Sequence, residues 1–170
     1  MTCQDRQKFI DLYHSSWTSV YKLCSSLSER EWRLETDCPG WSVKDCLSHL
    51  TGIEHRLLGR FVPNHIPSNL CNVRNELGMK NEIDVDIRRK LDTKDVLNEF
   101  EEVNKSRMAV LATQKNFNDK VTSPVGEGTI YDLLSVRAFD CWVHEQDMRR
   151  ATGRHGNLTG LVADHAFSRM

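Results

Sequence analysis

The sequence predicts an all-α fold, a four-helix bundle with a partial extra helix at its C-terminal end. Three observations lead there. Apolar residues recur at helical spacing in four long segments, β-branched alternation is almost absent, and side-chain capping patterns stand where several segments begin.

The first helix is expected over residues 5 to 26, where Phe9, Leu12, Tyr13, Trp17, Val20, Tyr21 and Cys24 form one apolar stripe. Ser28-Glu29-Arg30-Glu31 has the form of a capping box and suggests a short turn. The Pro39-Gly40 pair then marks a loop. Ser42, with Asp45 three residues on, starts a second helix that runs to about residue 59. Residues 62 to 82 carry Pro63, Pro67 and Gly78 without a clear period and read as a long loop. A third helix follows from Asp92 or Thr93 to about residue 113, with Val96, Leu97, Phe100, Val103, Met108 and Leu111 turned inward. A polar loop containing Pro124 leads to Thr129 and Asp132, a second box of the same form. The fourth helix spans residues 130 to 152 and stops at Gly153. Residues 159 to 170 form the partial helix.

The 170 residues fit one domain, large enough to bury about two-thirds of its unfolded surface. A net charge of −1 without long single-sign runs argues against a nucleic-acid binder or a polybasic membrane surface. No apolar leader and no membrane-length apolar run are present, so a cytoplasmic location is expected. The six cysteines include no C-x-x-C pair and read as free thiols.

The fourth helix carries the chemistry. At about 100° per residue, with Asp140 as zero, His144 lies near 40°, Asp147 near −20°, Leu133 near 20° and Val136 near −40°. Glu145, Arg149 and Ser135 fall on the far side, where solvent is expected. Asp140 and His144 thus sit inside an apolar arc, where a lone carboxylate costs several kcal/mol unless a cation accompanies it. A carboxylate and an imidazole four residues apart project from consecutive turns, the spacing a metal needs. A third ligand must come from another helix. Of seven histidines, His49 is the one well inside an amphipathic helix, with His14 and His165 as weaker alternatives. Two histidines and a carboxylate suit zinc with an open position, or non-haem iron. Asp147 either orients His144 or coordinates in place of Asp140, and Arg137 stands beside the pair. A plain alternative is that Asp140 pairs with Arg137 three residues earlier and no metal binds.

Thr36-Asp37-Cys38-Pro39-Gly40-Trp41-Ser42-Val43-Lys44-Asp45-Cys46-Leu47-Ser48-His49-Leu50 resembles the second-helix signature of the mycothiol-dependent maleylpyruvate isomerase N-terminal domain family, within the DinB-like superfamily. Residues 137 to 154, through Asp140-Cys141-Trp142-Val143-His144, resemble the last-helix signature of its actinobacterial members. The resemblance implies metal ligands at His49, Asp140 and His144, with Asp140 where the characterised isomerase has glutamate. It implies a divalent metal (zinc first, iron or nickel otherwise) and mycothiol or a similar thiol as cofactors. The implied chemistry is thiolate addition to an activated double bond, rotation and expulsion, or thiol transfer. Isomerase-type members often continue into a C-terminal α/β domain, whereas this chain ends at Met170 inside a helical segment, as a single-domain relative or a truncated chain would.

The leading expectation is a metal- and thiol-dependent isomerase or S-transferase acting on an electrophilic small molecule, with Arg137 binding a carboxylate of substrate or cofactor. Its expected partners are small molecules, not nucleic acid or membrane, with a homodimer left open. The alternative is a non-catalytic metal-binding bundle module.

Overall fold

The computed structural model describes residues 3–60, 64–123 and 126–170, and of Cys3 and Gln4 only the backbone. Helix α1, Cys3–Cys24, turns Leu12, Tyr13, Trp17, Val20 and Cys24 inward at spacings of three and four. A 3₁₀ turn, Glu31–Arg33, follows, its first turn closed by the expected Ser28–Glu31 box. The remaining helices are α2, Val43–Leu57; α3, Glu76–Arg89; α4, Thr93–Thr113; α5, Ile130–Thr152; and α6, Leu161–Ser168.

Helices α1, α2, α4 and α5 form the bundle, α3 lies against α2, and α6 covers α5 and α1. The caps explain the boundaries. Ser42 and Asp45 close a reciprocal box at the start of α2, as Thr129 and Asp132 do for α5, satisfying backbone N–H groups that a helix leaves unpaired. Gly153, at φ 68°, ends α5 in the left-handed conformation that a residue with a Cβ resists. Within the core Trp17 stacks on Phe100, centroids 4.3 Å apart and planes within 18°, joining α1 to α4.

Three expectations require correction. Residues 76 to 82, expected as loop, belong to α3. Asn75 caps that helix by accepting from the Gly78 N–H at 2.8 Å. Its inward residues are Glu82, Asp84, Val85 and Arg88, so it packs through ion pairs and leaves no apolar period. Arg88 forks onto Glu99 of α4 at 2.8 and 2.7 Å, and Asp84 meets Arg56 of α2. Gly52 permits the approach, since a Cβ there would lie 2.3 Å from the Asp84 Cβ.

The polar loop before Thr129 holds a short antiparallel pair, β1, Lys120–Ser123, with β2, Gly126–Thr129, in register Lys120↔Thr129 to Ser123↔Gly126. Strands of four residues with no buried side chain offer no alternation to read. Pro63 and Pro124 lie outside the described residues.

The third correction concerns the far side of α5. Glu145 is fully buried and accepts from Ser19, Arg149 and Asn157 at 2.7, 2.8 and 2.7 Å. Ser135 is also buried, against His165 and Arg169. Helix α1, the 153–160 segment and α6 cover that face. Trp142, whose outward position would otherwise be unexplained, packs edge-on to Phe167 and donates to the Asn157 carbonyl at 2.8 Å.

Because Phe100 is fully buried against Trp17, Phe100→Ala is expected to destabilise the protein by about 3–5 kcal/mol. Urea unfolding of the two proteins measures this; a loss under about 1 kcal/mol would mean that the α1–α4 contact does not hold the bundle.

Candidate metal centre

The capped first turn of α2 fixes the rotation of that helix, and His49, a turn and a half later, points at α5 with 3% of its surface exposed. Asp140 and His144 face it from consecutive turns of α5. His49 Nε2 lies 3.6 Å from Asp140 Oδ2, and His144 Nε2 lies 3.7 Å from Asp140 Oδ1. The imidazoles meet edge to face with centroids 4.7 Å apart, and one donor atom from each of the three residues lies within 4.8 Å of the others. Ligands about 2.0–2.2 Å from a tetrahedral zinc are separated by roughly 3.3–3.6 Å, so this spacing is close to that of three corners around an ion. His49 Nδ1 is buried and has no hydrogen-bond partner among the described residues.

Burial pushes the His49 imidazole down to about 4, against the pull of Asp140, so it is a neutral ligand near pH 7. His144 goes the other way. Burial lowers it, but Asp147, Cys38 and Asp140 together raise it to about 10. Burial would raise Asp140, yet Arg137 and the two histidines hold its carboxyl well below the usual range. An anionic centre is thus kept ready beside a cationic imidazole, whose proton a metal ion would displace.

Arg137 is 1% exposed, donates from Nε to Glu54 Oε1 at 2.8 Å and holds Asp140 through Nη1. Its Nη2 is buried and has no hydrogen-bond partner among the described residues. The Arg137–Asp140 pair expected from spacing is present, and Asp140 faces both histidines as well. Asp147 lies on the other edge of the His144 ring, 3.3 Å from Nδ1, where it can orient the imidazole but does not join His49 and Asp140. His14 is exposed on α1, His165 bonds to Ser135, and His55 and His65 pair with Glu99 and Asp86.

Several functional residues escape sequence reasoning. Glu54 accepts from Tyr13 Oη at 2.5 Å, Arg107 Nε at 2.9 Å and Arg137 Nε, all partners from other helices. Trp41 from the Cys-Pro-Gly-Trp loop lies against both histidines, at 4.9 and 5.9 Å between centroids. A cavity of about 400 Å³ opens on the triad, walled by Trp41, Val136, Phe139 and Arg137 and closed by Leu77 and Asn81 of α3. Only the Trp in the turn motif gave a signal in the sequence.

A helical bundle with this element order is of the DinB-like kind. The family described as the mycothiol maleylpyruvate isomerase N-terminal domain matches residues 13–149, and the chain belongs to that family. Two crystal structures of the mycothiol-dependent maleylpyruvate isomerase, one of them of a histidine-to-alanine mutant, superpose on it with a TM-score of 0.58 at 15% identity. The match covers 87% of this chain and 63% of theirs, so the chain corresponds to less than two-thirds of their length and shares their bundle fold. No curated protein matches.

The raised His144 pKa sets a sign. In metal-free protein the imidazolium stabilises the fold fully below about pH 6.5, its unfolded value, and that contribution is lost as pH rises through about 10. The stability gap between the metal-free chain and His144→Gln should therefore be widest near pH 6 and narrow towards pH 10. Chemical denaturation at both values checks it, and a gap that widens with pH would refute the assignment.

Proposed function

We propose that residues 1–170 form one metal-binding domain of a thiol-dependent enzyme, an isomerase or S-transferase acting on an electrophilic small molecule with mycothiol or a similar thiol. The observation that carries this is the convergence of His49, Asp140 and His144 at ligand spacing on the floor of a cavity lined by Arg137. A zinc, iron or nickel ion held there would supply the Lewis acidity that makes a thiolate available near neutral pH.

The chain's own residues account for the rest. Trp41, Val136 and Phe139 give the cavity apolar walls that limit water around a reactive thiolate. Arg137, fixed by Glu54 and Asp140, keeps one buried N–H unpaired, which suits a carboxylate of substrate or cofactor. The free thiols of Cys24, Cys38, Cys46, Cys71 and Cys141 accord with the cytoplasmic setting this reading assumes. Among the described residues no helix is long and apolar enough to cross a membrane.

Purified protein should carry a zinc, iron or nickel ion that depends on His49, and metal analysis of His49→Ala should show the metal content fall by about one ion per chain. A conjugation screen with mycothiol and related thiols on metal-loaded protein should give turnover that Asp140→Ala abolishes. Metal binding without turnover against any thiol and electrophile pair would leave a non-catalytic module. Absence of metal from the wild-type protein, together with no difference in His49→Ala, would remove the reading altogether.

A further inference from the structure

His144 has two working edges. Its Nε2 faces Asp140 and His49, while its Nδ1 faces a different donor set, built on the loop before α2 and on α2 itself. Cys38 Sγ lies 3.7 Å from Nδ1 and 3.2 Å from Asp147 Oδ2, and Asp147 Oδ2 lies 3.3 Å from Nδ1. Cys46, fully buried in the first turn of α2, completes the group: its Sγ, the Cys38 Sγ and a His144 ring nitrogen all lie within 4.8 Å of one another.

The geometry points to a second metal position, a thiolate-rich site for a thiophilic divalent ion of the zinc class, formed by Cys38, Cys46 and His144, with Asp147 beside Cys38 and His144. The spacing supports it. Around tetrahedral zinc, with Zn–S about 2.3 Å and Zn–N or Zn–O about 2.0–2.2 Å, ligand atoms stand roughly 3.3–3.8 Å apart. Cys38 Sγ stands 3.7 Å from His144 Nδ1, and Cys46 Sγ lies within 4.8 Å of the Cys38 Sγ and of a His144 ring nitrogen. The ligand types are those that select zinc over magnesium or calcium.

The scaffold holds these donors without the ion. The Thr36 hydroxyl lies 3.6 Å from Cys46 Sγ and donates to the Trp41 carbonyl at 2.9 Å, and the Glu35–Ser42 bridge pinches the loop that carries Cys38. Each thiol and the ring nitrogen would release its proton to solvent on binding. An ion held by these three ligands would tie the Cys38 loop and α2 to α5, beside the His49–Asp140 position. The position goes beyond the function proposed above and does not depend on it, because His49 and Asp140 take no part.

Cobalt(II) titration of the reduced, metal-free protein tests this, since thiolate–cobalt bonds give a near-ultraviolet charge-transfer band that nitrogen and oxygen ligands do not. The wild-type protein should show the band, together with a higher melting temperature on adding zinc. Cys38→Ser should cut the band about twofold or more, and Cys38→Ser combined with Cys46→Ala should abolish it, with circular dichroism confirming the helical fold. His49→Ala should keep it. Absence of a thiolate band in the wild type, its survival in the double variant, or its loss in His49→Ala would each overturn the second position. The last result would assign the thiols to the His49 centre instead.

Discussion

Glu54 is fully buried where α1, α2, α4 and α5 meet, and it accepts from a tyrosine hydroxyl and two guanidinium groups. One of those, Arg137, passes on to Asp140, so two carboxylates and two guanidiniums from three helices form one chain of alternating charge. Buried ions of one sign alone would cost several kcal/mol each, whereas this arrangement satisfies them mutually and fixes the rotation of every helix that contributes. The candidate centre depends on it. Asp140 remains an ionised carboxylate inside the bundle because Arg137 is there, and Arg137 is held in place by Glu54.

That chain also gives the two histidines opposite characters. His49 sits deeper and is neutral, while His144 leans on Asp140 and Asp147 and is cationic without a metal. Without a metal the centre therefore carries its positive charge as a proton on His144, and a divalent cation that displaced this proton would add one positive charge to the site. Its depth, the Trp41 ring and the wall supplied by α3 keep the exchange within a cavity rather than at the surface.

Helix α3 uses a different physics from its neighbours. It joins the bundle through Arg56–Asp84 and Arg88–Glu99 and through the bare backbone at Gly52. Its Leu77 and Asn81 line the cavity, so one wall of the site is set by a helix whose buried side chains are mostly ionic. Ion pairs of this kind add orientation more readily than net stability, which suits a wall that faces His49, Asp140 and His144 across the cavity.

By itself the sequence determined the helices whose apolar residues recur at three and four, the capping boxes at Ser42 and Thr129, the stop at Gly153, and the shared face of Asp140 and His144. These are local properties, fixed by helix geometry and by hydrogen bonds between residues three apart. The family resemblance, not the spacing, singled out His49. Tertiary structure alone decided the rest. Glu54 meets partners 41, 53 and 83 residues away, and no period marks such pairings. Helix α3 lacked a hydrophobic stripe because its inner face is ionic. Glu145 looked exposed because α1 and the 153–160 segment, whose Ser19 and Asn157 meet it, could not be placed by the periodicity of α5. Cys38 and Cys46 read as loop and core thiols until folding set both against the second edge of His144. Periodicity reports which face of a helix is buried, and only packing reports against what.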